Sequence, residues 1–175
     1  MLSALLELRV LGLSKKFLTG TIPASLGNLS SLEYLFIANN DLHGLLLEEL
    51  GRLTQLRSLV IEQTNVTGEI PSSLFNNSVL TVLSFTLNKL SGRLPSDMFS
   101  RLPNLQVLGN LPNIPSLKLA GNQLTSDGPS GMAFFTSLAN SPKLQVLALS
   151  VNRLRGKLLP SIGNRQPLKR TVTGE

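Results

Sequence analysis

The side chains that could perform chemistry in this chain are few and widely separated. The 175 residues include one histidine, His43, and no cysteine, which argues against both a histidine-activated thiol and a zinc site. No group of carboxylates has the spacing of metal ligands. The glycine-rich stretch at 126–131 lacks the Gly-Lys-Ser/Thr ending of a phosphate-binding loop. We therefore expect no catalytic residues, no metal and no cofactor in this chain.

Residues that could bind a partner lie at regular intervals between leucines. In the pattern Leu-x-x-Leu-x-Leu the side chains of the last two leucines point from one face of a short strand. The side chains of the residues around them point from the opposite, exposed face. Tyr34 and Phe36 stand out there, since large rigid aromatics favour binding. An equally weighted alternative is that Phe36 only covers its neighbours. The candidate ligand-binding residues on this face are Tyr34, Phe36, Ser58, Val60, Glu62, Ser84, Thr86 and Lys118.

The strands that carry these residues belong to a repeat of about 24 residues, which predicts a solenoid. Residues 1–164 contain about six coils, and each needs its neighbours to bury its leucines. The unit at 102–110 is irregular, because it lacks the expected Asn and Ile-Pro. An insertion at 125–140 lengthens a later coil. Residues 165–175 break the leucine register and are predicted to form a degenerate C-terminal tail.

An asparagine follows the strand in most units and predicts an internal ladder. Its side-chain carbonyl and amide can satisfy the backbone groups of the turn that each coil buries. Lys16 and Thr64 occupy this position in the first and third units, where we expect a weaker turn. The predicted ladder residues are Asn40, Asn88, Asn122 and Asn152.

Composition and charge limit the classes of partner. Forty residues are leucine and 15% are charged, so the chain is too apolar to be disordered. No apolar run reaches roughly 18 residues, so no membrane span is expected in this segment. The net charge is +6, but the basic residues are scattered and are not interleaved with aromatics. This distribution disfavours a nucleic-acid partner.

Three acceptor sequons for N-linked glycosylation suggest secretion. They place candidate glycosylation sites at Asn28, Asn65 and Asn76. The repeat itself dictates part of the Gly-Asn-Leu-Ser sequence at 27–30, so this signal is weaker than the repeat pattern.

The phrase Leu-x-Gly-x-Ile-Pro-x-x-Leu-Gly-Asn at 18–28, with near-copies at 66–76 and 154–164, resembles the plant-specific class of leucine-rich repeats. The resemblance implies an α/β horseshoe solenoid. Short parallel strands would line its concave face, with irregular or 3-10 segments on its convex face. Segments at 94–105 and 122–140 resemble the disease-resistance subfamily of receptor-like kinases. We therefore expect a fragment of such an ectodomain, with any kinase domain outside this chain.

The function implied by this resemblance is recognition of a peptide or protein ligand in defence signalling. The ligand could be pathogen-derived, and a co-receptor is a further candidate partner. The full-length protein would lie on the extracellular side of the plasma membrane, as a glycoprotein, or be secreted to the apoplast. Two alternatives remain open: a secreted inhibitor of cell-wall-degrading enzymes, similar to polygalacturonase inhibitors, and a truncated non-functional copy.

Overall fold

The computed structural model describes residues 5–102, 116–126, 134, 138, 144–155 and 170–171. Within them, seven strands form one parallel sheet, in which each strand pairs with the strand of the next coil. The predicted repeat solenoid with parallel strands is confirmed. The strands of this concave sheet are β1 (Val10–Gly12), β3 (Tyr34–Phe36), β5 (Ser58–Val60), β7 (Val82–Ser84), β10 (Ser116–Lys118), β12 (Val146–Ala148) and β13 (Arg170–Thr171).

The register of the concave sheet follows the leucine repeat. Leu35 pairs with Leu11 on one side and with Leu59 on the other, so equivalent residues stack from coil to coil. Leu35, Leu59 and Leu83 are each 0% exposed. Burial of these leucines between coils is the main source of stability, because no single coil can remove them from water.

The sheet departs from regular spacing in its second half. β7 pairs directly with β10, so 34 residues (82 to 116) separate neighbouring strands there. The irregular unit predicted at 102–110 falls within this interval, and residues 103–110 lie outside the described residues. Most of the insertion predicted at 125–140 also lies outside them.

The seventh strand lies in the segment predicted as a degenerate tail. Arg170 and Thr171 pair with Val146 and Leu147 of β12. No leucine marks this strand, since Thr171 stands where the register calls for leucine. Strand pairing uses backbone groups and continues past this substitution.

A second sheet follows the bend of each coil and was not predicted. One part has four strands in parallel register, and a shorter part has two. Gly20 and Gly44 have φ of +86° and +81°, which glycine adopts at low cost as the chain bends. The strands are β2 (Thr19–Thr21), β4 (Asp41–Leu45), β6 (Asn65–Gly68) and β8 (Lys89–Leu90), with β9 (Arg93–Leu94) and β11 (Thr125–Ser126) forming the pair.

Short helices return the chain along the convex side, as the resemblance implied. Within residues 5–102, three are 3-10 helices and one, α1, is an α-helix of one turn. No helix among the described residues is long and apolar enough to cross a membrane. The 3-10 helices span Ala24–Asn28, Glu48–Arg52 and Ser72–Asn76, and α1 spans Met98–Arg101.

Neighbouring 3-10 helices are joined by a carboxylate. Glu48 accepts hydrogen bonds from the Ser73 hydroxyl at 2.6 Å and from the backbone N–H groups of Ser72 and Ser73. The Ser73 hydroxyl, followed by these amides, lowers the pKa of Glu48 and outweighs its slight burial. The carboxylate therefore supplies acceptors to the orphan donors at the start of the next helix.

The convex helices pack closely enough to require glycine at their contacts. A Cβ at Gly27 would lie 2.2 Å from the backbone oxygen of Glu49 in the next coil. We expect Gly27→Ala to lower the free energy of unfolding by about 2–4 kcal/mol, because the two coils must separate. Chemical denaturation would measure this loss. Gly12→Ala is the control, since nothing lies within 4 Å of its Cβ position; equal losses would contradict the packing argument.

The asparagine ladder joins each coil to the one before it. The Asn88 amide donates to the Ile61 carbonyl at 2.7 Å and to the Phe85 carbonyl at 3.1 Å. Its side-chain oxygen accepts from the backbone N–H and the hydroxyl of Thr64. Asn122 makes the corresponding bonds to Leu90 and Phe85. Each asparagine thus forms hydrogen bonds with its own turn and with the turn of the preceding coil.

This arrangement changes the expectation for the turns that lack asparagine. The backbone N–H of Lys16 donates to Asn40 at 3.1 Å, and that of Thr64 donates to Asn88 at 3.2 Å. Both turns are therefore satisfied by the following coil. A missing asparagine removes a partner from the preceding coil as well as from its own.

Candidate functional site

The concave sheet aligns candidate binding residues in rows that cross the strands. Because the strands are parallel and in register, each residue lies beside its equivalent in the next coil. One row contains Val10, Tyr34, Ser58, Val82, Ser116 and Val146, and the other contains Gly12, Phe36, Val60, Ser84, Lys118 and Ala148.

An aromatic patch, defined by Val10, Tyr34, Phe36 and Val60, occupies the first three coils. The Tyr34 and Phe36 rings stack with centroids 6.4 Å apart and planes inclined by 22°. Both side chains are half-buried, and Val10 is 55% exposed. Each ring supports the other while keeping an open side. The pair therefore presents a partly open apolar surface whose two rings are held by mutual contact.

Beside this patch, Gly12 leaves space on the sheet. It pairs with Phe36 across the strands, and no heavy atom lies within 4 Å of its Cβ position. Gly12 is exposed. The backbone of β1 is therefore open beside Phe36.

The serine candidates are buried, contrary to the exposure predicted from strand alternation. Ser58 and Ser84 are 2% and 1% exposed. Ser58 lies between Tyr34 and Val82 in the neighbouring strands, and these larger side chains shield it. Ser84 also donates its hydroxyl hydrogen to the Glu62 carboxylate. These serines offer little side-chain surface to a ligand.

The remaining candidates differ in their availability. Glu62 is half-buried and bonded to Ser84, so one carboxylate oxygen already has a partner. Thr86 is half-buried, whereas Lys118 is exposed. Lys118 is in none of the ion pairs found in the part of the chain that the structure describes. Lys118 is therefore the predicted residue that gives this face an exposed positive charge.

An ionic ladder borders the aromatic patch. Glu33 lies between Arg9 and Arg57 of the adjacent coils, with nitrogen–oxygen distances of 3.4 Å to each. The two arginines remain largely exposed, so solvent weakens these pairs. The ladder places two arginines and one glutamate in the row next to Tyr34, and sequence reasoning missed it. The signal was the 24-residue interval between oppositely charged residues, from Arg9 to Glu33 and from Glu33 to Arg57.

The three candidate glycosylation residues lie outside the concave sheet. Asn28 and Asn76 are exposed at the last positions of equivalent 3-10 helices. Asn65 is half-buried in β6 and donates its side-chain amide to Asp41 at 2.9 Å. The Asn28 and Asn76 side chains are thus accessible to solvent, whereas the Asn65 side chain is already hydrogen-bonded.

Chemistry other than binding finds no support in the described ranges. His43 is exposed in β4 of the second sheet, away from the concave residues. No group of three or more histidine, cysteine, aspartate or glutamate side chains there could hold a metal ion.

Comparison with known proteins agrees with this geometry. Residues 31–53 match the family model Leucine Rich Repeat. Over 61 residues the chain is 41% identical to a probable LRR receptor-like serine/threonine-protein kinase of Arabidopsis thaliana, At3g47570. That alignment covers 35% of this chain and 6% of the kinase.

Solved plant receptor structures share the fold over most of the chain. The plant peptide hormone receptor RGFR1 in complex with RGF2 superposes with a TM-score of 0.76 at 30% identity. The match covers 92% of this chain and 23% of the receptor. A chain of the BIR3–SERK2 complex from Arabidopsis thaliana gives 0.63 at 32% identity, covering 85% of this chain and 70% of its own length.

The chain spans less than a quarter of the peptide hormone receptor's length and a smaller share of the kinase. The shared part is the repeat array, a non-catalytic ectodomain fold. The leucine register, the concave sheet and these matches all lead to the same assignment. The chain belongs to the leucine-rich-repeat family of plant receptor-like kinase ectodomains.

Proposed function

We propose that this chain recognises a peptide or protein ligand on its concave sheet, as part of the extracellular domain of a receptor-like kinase. The observation that carries the proposal is the stacked pair Tyr34 and Phe36, held half-exposed in the middle of an apolar patch. A face without a function would gain solubility from polar residues at these positions. The similar receptor RGFR1 was solved with the ligand RGF2.

The size of the sheet suits an extended ligand. Seven strands about 4.8 Å apart extend over roughly 29 Å, one strand more than the sequence predicted. An extended chain of about eight or nine residues covers that distance. The apolar patch at one end and Lys118 towards the other would give such a ligand a direction. We propose an apolar residue near Phe36 and an acidic group near Lys118.

Selection from a phage library of random 12-residue peptides tests the proposal. We expect selected peptides to lose at least tenfold in affinity for Phe36→Ala and for Tyr34→Ala, since both variants remove the apolar anchor. Isothermal titration calorimetry would measure the loss. Leu45→Ala is the matched control, because Leu45 is 56% exposed but lies in the second sheet. Equal losses in all three variants would contradict binding at the concave sheet.

We further propose that the full-length protein acts in defence signalling at the cell surface. The support is the resemblance of the 94–105 and 122–140 segments to the disease-resistance subfamily, together with the similarity to a receptor-like kinase. A pathogen-derived ligand would fit this role. Assembly with a co-receptor is also proposed, since a similar repeat structure was solved as the BIR3–SERK2 complex.

Glycosylation would accompany such a location. We expect Asn28 and Asn76 to carry glycans at higher occupancy than Asn65, because Asn65 is half-buried and bonded to Asp41. Mass spectrometry of glycopeptides from chain secreted by plant cells would measure all three occupancies. Highest occupancy at Asn65 would contradict this order. Glycans at Asn28 and Asn76 would leave the concave sheet accessible.

A further inference from the structure

A flank strip formed by Leu87, Gly121 and Val151 lies immediately after the concave strands in three successive coils. Each residue directly precedes an asparagine of the ladder. The Leu87 N–H donates to the Ala120 carbonyl at 2.8 Å, and the Gly121 N–H donates to the Ser150 carbonyl at 2.9 Å. The three residues are therefore neighbours across the coils.

The backbone at this position is left-handed in every described coil. Leu87 and Val151 have φ of +57° and +54°, and Gly121 has +68°. Glycine and asparagine adopt this region at low cost, whereas leucine and above all β-branched valine are strained there. The equivalent residues in the first three coils are polar: Lys15, Asn39 and Gln63.

The strained apolar side chains are also exposed. Leu87 is 52% exposed and Val151 is 76% exposed, so neither gains the burial that normally offsets such strain. A Cβ at Gly121 would lie 2.7 Å from a Leu87 methyl carbon. Leu87 therefore lies against the Gly121 backbone of the next coil. These two residues present a shallow apolar surface that crosses from one coil to the next. Because every described coil is left-handed here, the feature that distinguishes Leu87 and Val151 is an exposed apolar side chain at a strained position, which points to a role outside folding.

Positive charge borders the strip. Lys89 and Arg153 follow Leu87 and Val151 by two residues, and both are exposed. Neither takes part in an ion pair within the described ranges. An apolar surface with cations beside it favours a complementary segment that carries apolar side chains next to carboxylates.

We propose that the flank strip docks a second protein through a short segment in which leucine-like side chains are bordered by Asp or Glu. The apolar side chains would lie on Leu87, Gly121 and Val151, and the carboxylates would face Lys89 and Arg153. The strip borders the concave sheet and contains none of the candidate ligand-binding residues. The inference does not depend on the proposed ligand.

Two variants test the strain and the docking together. Leu87→Asn and Val151→Asn place a residue suited to left-handed backbone at each position. Each should raise Tm by about 2–4 °C, because strain is relieved and little burial is lost. Gln63→Asn is the matched control in the third coil, where no apolar surface is removed. A Tm that falls in both variants would overturn the strain argument.

Docking is measured with a capped peptide of sequence Asp-Glu-Leu-Leu-Glu-Asp, using NMR of the full chain. We expect shifts at Leu87, Gly121 and Val151, with affinity at least tenfold weaker for Val151→Asn and for the double variant Lys89→Gln, Arg153→Gln. Affinity should be unchanged in Gln63→Asn. Shifts elsewhere, or equal binding of a Lys-Arg-Leu-Leu-Arg-Lys peptide, would overturn the proposal. So would self-association that Val151→Asn abolishes in sedimentation, since the occupant would then be a second copy.

Discussion

Leu35→Ala is expected to lower the free energy of unfolding by about 2–5 kcal/mol. Leu35 is 0% exposed and lies between Leu11 and Leu59 of the adjacent coils. Truncation leaves a cavity between coils that are already fixed by backbone pairing on both sides, so the site can collapse only partly. Urea denaturation followed by circular dichroism would measure the loss.

The neighbouring residue provides the matched control for Leu35. Tyr34 belongs to the same strand but projects from the concave side and is half-buried. We expect Tyr34→Ala to cost within about 1 kcal/mol. A loss for Tyr34→Ala as large as that for Leu35→Ala would contradict the assigned register of the strand.

The second large effect is expected at Asn88, where Asn88→Ala should cost about 2–5 kcal/mol. Asn88 is 8% exposed and bonds to Ile61, Phe85 and Thr64. Alanine would remove the asparagine partner of the buried Ile61 carbonyl and of the Thr64 N–H, whereas the Phe85 carbonyl keeps the Asn122 amide. Each unsatisfied group costs about 1–3 kcal/mol. Thermal and urea unfolding would measure the loss.

Asn76→Ala separates this effect from a general cost of losing asparagine. Asn76 is exposed at the end of a 3-10 helix, and its replacement should stay within about 0.5 kcal/mol. Hydrogen exchange adds a second readout for Asn88→Ala. The Thr64 amide should exchange faster in that variant, because its acceptor at 3.2 Å is lost. Unchanged protection of Thr64 would contradict the ladder as described.

The sequence predicted the concave sheet well because that sheet follows a side-chain pattern. Leucines at period two specify which face of each strand is buried, and the 24-residue interval specifies which residues become neighbours. Both are visible without coordinates, and Leu35 and Leu59 pair where the register expects them. The second sheet has no such pattern. Three of its six described strands, among them Thr19–Thr21, contain glycine, and the strands form when stacked coils bring backbone groups together.

The candidate surface was predicted less completely, because exposure depends on neighbours in other coils. Alternation placed Ser58 on the open face, but Tyr34 and Val82 on either side bury it. The ionic ladder and the flank strip also depend on residues brought together by stacking. Leu87 and Val151 could have been noticed as apolar residues directly before the ladder asparagines. Their strain becomes visible only with backbone angles.

The most direct test of recognition by the concave sheet is methyl NMR of the chain with a selected peptide, using labelled valine and leucine. Val10, Val60 and Val82 lie on the concave side, and Leu45 lies exposed on the second sheet. The account predicts peptide-induced shifts at the three valines and none at Leu45. Shifts at Leu45 with unchanged concave valines would contradict it.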